Sequence, residues 1–154
     1  MTALATIPQP PSTLTMRARE ILEACLYAPD LEAAEAFYTE VLGLEPVGRV
    51  EGRHVFFRCG GRVFLVFDPA ATLAGERIPG HGAHGPGHVA FAAAAGELER
   101  WRAHLGAKGV EIEQEVEWPG GGRSIYFRDP AGNSVELGTP AIWALADAET
   151  FGNR

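Results

Sequence analysis

Positive charge is scarce in this sequence: 13 Lys and Arg stand against 20 Asp and Glu, for a formal net charge of −7. That balance repels phosphate backbones and leaves no basic stripe, so a nucleic-acid partner is not expected. Long hydrophobic runs are missing as well. Every apolar stretch is broken by Arg or Asp well before the roughly 20 residues a membrane span requires, so no membrane partner is expected either. The chain does not open with a basic start and an apolar block, because Arg17 and Arg19 follow a proline-containing stretch. Export is therefore not indicated, and a soluble, cytoplasmic protein is the expectation. Cysteine is rare: Cys25 and Cys59 are the only two. Two thiols in a domain with an adequate core point to free, structural cysteines in a reducing compartment.

What is present suits one compact unit. The chain has 154 residues, 46% of them hydrophobic and 21% charged, enough to bury a sizeable core. Residues 1–18 carry prolines, Ser and Thr with no sustained period and read as a flexible or surface-wrapping arm. The folded part is expected over residues 19–139. Ile21 to Ala28 is short, apolar and followed by Pro29-Asp30, which predicts a buried strand and then a helix capped by Asp30. Leu31, Ala34, Phe37, Tyr38, Val41 and Leu42 fall at helical spacing before Gly43. Strands are predicted over residues 45–50, 53–59 and 62–68, separated by Glu51-Gly52 and Gly60-Gly61.

Residues 69–87 are rich in Gly, Ala, Pro and His and read as a connection, after which the pattern restarts. A strand is predicted over 88–93, a helix over 97–107 and strands over 111–117, 123–128 and 133–137. Phe56-Phe57-Arg58 before Gly60-Gly61 occupies the place of Tyr126-Phe127-Arg128 before the turn at 129–132, so the chain contains an internal repeat. Module one covers about residues 20–68 and module two about 88–139. Residues 140–154 form an apolar, helix-prone tail, read as packing on the body or on a partner subunit.

Certain pieces resemble a known family. These are Leu31 with Phe37-Tyr38 and Leu42-Gly43-Leu44, then Gly87-His88-Val89-Ala90-Phe91, the run Tyr126 to Asn133, and Val135-Glu136-Leu137. In their order and spacing they resemble the vicinal oxygen chelate superfamily of glyoxalases, extradiol dioxygenases and bleomycin-resistance proteins. The resemblance implies an α+β fold of two βαβββ modules, whose curled mixed sheets form a cup with metal-ligand positions on the first and last strands of each module. It also implies a homodimer. Fold alone does not fix chemistry, so the cup residues must be weighed one by one.

On the resembling pattern, His88 and Glu136 occupy the module-two ligand positions. His88 is either a ligand or a capped core histidine. A carboxylate within Val135-Glu136-Leu137 is costly to bury without a cation or hydrogen-bond donors, which favours a cup-facing Glu136. Module one departs from the pattern, with Glu23 where a His is usual and Leu65 where a Glu is frequent. The implied set of Glu23, His88 and Glu136 is harder than two His and one carboxylate and shifts the expected ion toward Mn or Mg, with Fe, Ni or Zn still open. Without metal, Glu23 and Glu136 would form an acid/base pair.

Alternation places His54 on the face of Phe56, equivalent to Ser124 and Tyr126. His54 is then a fourth ligand or a base, and Ser124 and Tyr126 offer a hydroxyl and a phenol to substrate, unless Tyr126 is core. Arg123 is either an anion contact or a solvated strand end. Phe56, Phe67 and Cys25 read as wall. His81 and His84 sit in the Gly/Pro-rich connection and read as a solvated loop, and His104 as an outward helix residue. The expectation is a divalent-metal-dependent lyase, isomerase or dioxygenase acting on a small oxygen-bearing substrate, with Glu136 or Glu23 as base. The alternative is a metal-free, drug-sequestering protein of the bleomycin-resistance type.

Overall fold

The computed structural model describes residues 16–75 and 77–148. Most of the expected arm and the end of the tail lie outside the described residues. Local signals start the first module. The Asp30 carboxylate accepts a hydrogen bond from the Ala33 amide at 2.9 Å and opens α1 (Leu31–Glu40), supplying the acceptor that a first helical turn lacks. Gly43, at φ +68°, turns the chain out of the helix in a conformation other residues avoid.

Around α1 the strands β1 (Glu23–Tyr27), β2 (Glu45–Val50), β3 (His54–Cys59) and β4 (Arg62–Phe67) form a sheet of order β1-β4-β3-β2. β1 and β4 are parallel, and the other pairings are antiparallel. After the short helix α2 (Pro69–Leu73), the second module repeats the plan. It consists of β5 (His88–Ala92), α3 (Leu98–Ala107), β6 (Gln114–Glu117), β7 (Arg123–Arg128) and β8 (Ser134–Gly138), in the order β5-β8-β7-β6. This is the expected α+β fold of two βαβββ modules.

Four segments differ from the sequence reading, the first being β6, which starts at Gln114 and not at residue 111. The connection is not structureless, because Asp68 caps the Ala71 amide at 3.0 Å and Pro69 sits in the first turn of α2, where its missing N–H costs nothing. A single 3-10 turn (Ala95–Glu97) precedes α3. The tail takes one 3-10 turn (Pro140–Trp143) and then leaves helical geometry at Ala144, whose φ is +55°.

The two modules share one core. Leu26, Phe57 and Phe64 from the first pack in the same cluster as Leu105, Phe127 and Leu137 from the second. A buried polar hub ties them together. The Asp129 carboxylate accepts from the Tyr38 hydroxyl at 2.7 Å, from the Ala131 and Asn133 amides and from the Asn133 side chain. Asn133 in turn accepts from the Gly87 amide at 2.7 Å and donates to the Tyr27 carbonyl at 3.1 Å. One turn thus fixes α1, β1 and β5 against each other. Each sheet keeps a second face turned away from this core.

Candidate active site on the open faces of the sheets

On the open face of module two, strand register sets Ala90 beside Glu136 and Glu136 beside Tyr126. Glu136 is only 7% exposed. Its Oε1 accepts from the Ser124 hydroxyl at 2.5 Å, and Ser124 accepts from the Trp118 indole N–H at 2.9 Å. A Cβ on Gly138 would stand 2.9 Å from the same Oε1, so the glycine leaves the carboxylate its space.

His88 completes the group. Its Nδ1 lies 3.0 Å from the Ser134 carbonyl, which can only accept, so Nδ1 carries the hydrogen. In the neutral ring, Nε2 then presents a lone pair 3.3 Å from Glu136 Oε2. Two acceptors converge there, and only a proton or a metal cation between them makes the contact favourable. An imidazole that gives its other N–H to a backbone carbonyl is the arrangement metal-binding histidines adopt.

A cavity of about 350 Å³ opens over this group, lined among others by His88, Glu136, Tyr126, Trp118, Ile142 and Trp143. Burial pushes the Tyr126 phenol above its ordinary pKa; the Ser124 hydrogen bond partly offsets this, and the Glu136 charge adds to it. The phenol therefore stays protonated near neutral pH and is available as a donor.

Module one carries a mostly aromatic face. Glu23, Cys25 and Tyr27 alternate along β1, in register with Val63, Leu65 and Phe67. The His54 ring stacks on Phe56 at 3.9 Å between centroids, and its Nδ1 is buried without a partner. Burial first, and the Arg53 charge second, hold the His54 pKa below the ordinary histidine value. His81 does not belong to a solvated loop as expected. It is half-buried, with Nδ1 2.8 Å from the Tyr27 hydroxyl and its ring against Phe67. His104 is likewise half-buried, bonded to the Val41 carbonyl at 2.9 Å.

The expected site residues thus fall into two groups. His88, Glu136, Ser124 and Tyr126 come together. His54 and Phe56 lie with Glu23 on the other sheet, where Glu23 is exposed. Among the described residues, no three His, Cys, Asp or Glu side chains of one chain gather into a metal-holding group, so Glu23 does not join His88 and Glu136 within the chain. Arg123 falls on the opposite face of β7 from Ser124, in a cleft with Leu98 and Glu115. Its guanidinium reaches the Ala95 carbonyl at 3.5 Å.

A model of the Glyoxalase/Bleomycin resistance protein/Dioxygenase superfamily matches residues 20–137. The chain belongs to this superfamily. A crystal structure of lactoylglutathione lyase from Agrobacterium tumefaciens is 44% identical, with a TM-score of 0.81 over 84% of this chain and 100% of that one. A glyoxalase/bleomycin resistance protein/dioxygenase from Nocardioides is 27% identical, with a TM-score of 0.66 over 82% of this chain and 87% of that one. A fosfomycin resistance protein from Listeria monocytogenes, solved with Mn(II) and 1S,2S-dihydroxypropylphosphonic acid, shares the fold at 24% identity, with a TM-score of 0.60 over 79% of this chain and 90% of that one.

Within this superfamily member, the sequence reading missed Trp118, Tyr27 and the tail as parts of the open faces. The alternation Gln114, Val116, Trp118 carried the signal for Trp118, had β6 been continued past Glu117. For Tyr27 the alternation Glu23, Cys25, Tyr27 carried it. Nothing local marked the tail, because its contacts lie on distant segments, at Ala95, Gly122, Arg123 and Gly138.

Proposed function

We propose that the chain is a divalent-metal-dependent enzyme acting on a small substrate with two adjacent oxygens, by lyase, isomerase or ring-cleaving chemistry. The convergence of the His88 Nε2 lone pair on Glu136 Oε2 carries this reading. The donor set fits a hard or borderline ion such as Mn²⁺, Mg²⁺, Fe²⁺, Ni²⁺ or Zn²⁺. When bound, such an ion supplies Lewis acidity toward the paired substrate oxygens.

The chain's own residues do the rest. Ser124 and Gly138 fix the orientation of Glu136, which would hold the ion, or take the substrate proton if Glu23 ligates in its place. The Tyr126 phenol donates toward a developing oxyanion, and the apolar walls exclude water and strengthen both interactions.

Two donors from one chain do not complete a site, and the reading therefore includes a second copy. Among the described residues β1 pairs only with β4 and β5 only with β8, and β1 and β5 approach each other within the chain, where Asn133 donates to the Tyr27 carbonyl. Ile21 and Leu22 at the head of β1 are 74% and 72% exposed. A homodimer that sets the open face of module one of one protomer against that of module two of its partner would bring Glu23 to His88 and Glu136 of the partner subunit and close a cup between them.

One observation favours the metal-free alternative of a drug-sequestering protein, namely that among the described residues no three donors meet within the chain. Titration calorimetry with Mn²⁺ separates the two. The enzyme reading expects one ion per cup, with Glu136→Gln and His88→Ala each weakening binding by roughly 10- to 100-fold. Equal affinity in wild type and both variants would overturn it.

A further inference from the structure

Residues 140–148 lie past the end of the family match at residue 137, yet they build one side of the cavity over Glu136. The segment is a strap tied at both ends. At its start, the Thr139 amide donates to the Arg123 carbonyl at 3.0 Å, and the Arg123 amide donates to Thr139 Oγ1 at 3.0 Å. Ile142 then plugs a notch made by two glycines. A Cβ on Gly122 would stand 2.4 Å from Ile142 Cγ1 and 2.5 Å from its amide nitrogen, and one on Gly138 would stand 3.2 Å from its Cδ1. At the far end, the Asp147 carboxylate accepts from the Ala95 amide at 3.1 and 3.3 Å, just ahead of α3.

Between these anchors, Trp143 and Leu145 line the cavity while remaining 58% and 64% exposed. An indole held at a cavity mouth and left mostly uncovered offers a flat apolar face to a ligand. The chemistry of the wall narrows the ligand further. Among the described residues no lysine or arginine lines the cavity, and His88 is its one basic group. Arg123 lies on the opposite face of β7, and Arg128, on the face of Tyr126, is engaged by the Glu113 carboxylate through two hydrogen bonds. A peptide-like substrate with free carboxylates would find no partner for them on this wall, whereas an uncharged ring would stack. A volume of about 350 Å³ suits a molecule of that kind.

We propose that the strap forms a specificity subsite in which Trp143 stacks on an uncharged aromatic or similarly flat flank of the substrate, next to its paired oxygens. The inference rests on the chelating function proposed above for the oxygens, but not for the ring.

Three probes separate the two. Benzohydroxamate and acetohydroxamate offer the same pair of oxygens with and without a ring, and benzamide offers the ring without the chelate. Affinities are measured by calorimetry with Mn²⁺ present, in wild type, Trp143→Ala and Trp143→Phe, with the oligomeric state followed by sedimentation. Wild type should prefer benzohydroxamate over acetohydroxamate by roughly tenfold or more. Trp143→Ala should lose most of that preference while binding acetohydroxamate as before, and Trp143→Phe should keep most of it. A preference unchanged in Trp143→Ala overturns the subsite. So does a variant that turns monomeric with its preference intact, because the indole then belongs to a subunit interface. If acetohydroxamate does not bind wild type, the chelating function fails, and benzamide alone decides the subsite: weaker binding to Trp143→Ala supports it, and equal binding overturns it.

Discussion

At the scale of single residues, hydrogen-bond bookkeeping separates the two histidines on the open faces. His88 spends one ring nitrogen on a carbonyl and aims the other at a carboxylate, so it needs a cation between them. His54 has an unpartnered Nδ1 in an aromatic stack, where a charge on the ring would be costly. That cost has a consequence for stability. Because burial lowers the His54 pKa in the fold, the unfolded chain binds the proton more readily than the native one. The His54 contribution is therefore fully present above the ordinary histidine value of 6.5 and is lost as pH falls through that value toward the lowered one. His54→Phe keeps the stack and removes the titration. Urea unfolding from about pH 8 down to about pH 5 should show wild type losing stability faster than the variant below roughly pH 6.5. Parallel curves would mean that His54 takes up its proton without penalty.

At the scale of elements, most of the architecture could be read from the sequence because local chemistry determines it. The Asp30 cap, the Gly43 stop and the repeated strand alternation needed no long-range information, and α1 and α3 fall where their apolar spacing predicts. The pairing of Glu136 with Ser124 and Tyr126 followed from alternation alone, since register sets them side by side. What could not be read depended on contacts between distant segments. Asp129-Pro130-Ala131-Gly132-Asn133 reads as a simple turn, but its buried carboxylate receives the hydroxyl of Tyr38, 91 positions away in sequence. The tail reads as helix-prone, but the notch over Gly122 and Gly138 draws Ile142 in and ends the helix after one turn. That notch makes the strap testable. Gly122→Ala would force a methyl into Ile142 backbone and side chain. The strap should lift while both sheets stay intact. The expected result is altered tryptophan emission and faster proteolysis beyond residue 139, with a far-ultraviolet circular dichroism spectrum like that of wild type. Unchanged emission and proteolysis would mean that the strap is not held by this notch.

At the scale of the whole molecule, the pieces divide unevenly. Module two holds the imidazole, the carboxylate, the hydroxyl and the cavity, and module one holds Glu23 and the aromatic wall. A shared core and the Asp129 hub lock the modules of one chain, so Glu23 cannot reach Glu136 of its own chain by a small shift. If the cup forms between protomers, it needs one good module one and one good module two, and these need not come from the same chain. Glu23→Ala homodimers and Glu136→Gln homodimers would each have two defective cups. A mixed dimer would have one cup with both defects and one with neither. After unfolding, equimolar mixing and refolding, half of the dimers are mixed, and roughly a quarter of the wild-type number of tight Mn²⁺ sites should return. Calorimetry of the mixture against each variant alone measures this directly. Recovery of no sites would place the cup within a single chain, tight sites in Glu23→Ala alone would place Glu23 outside the metal site, and a monomer by sedimentation would exclude the shared cup altogether.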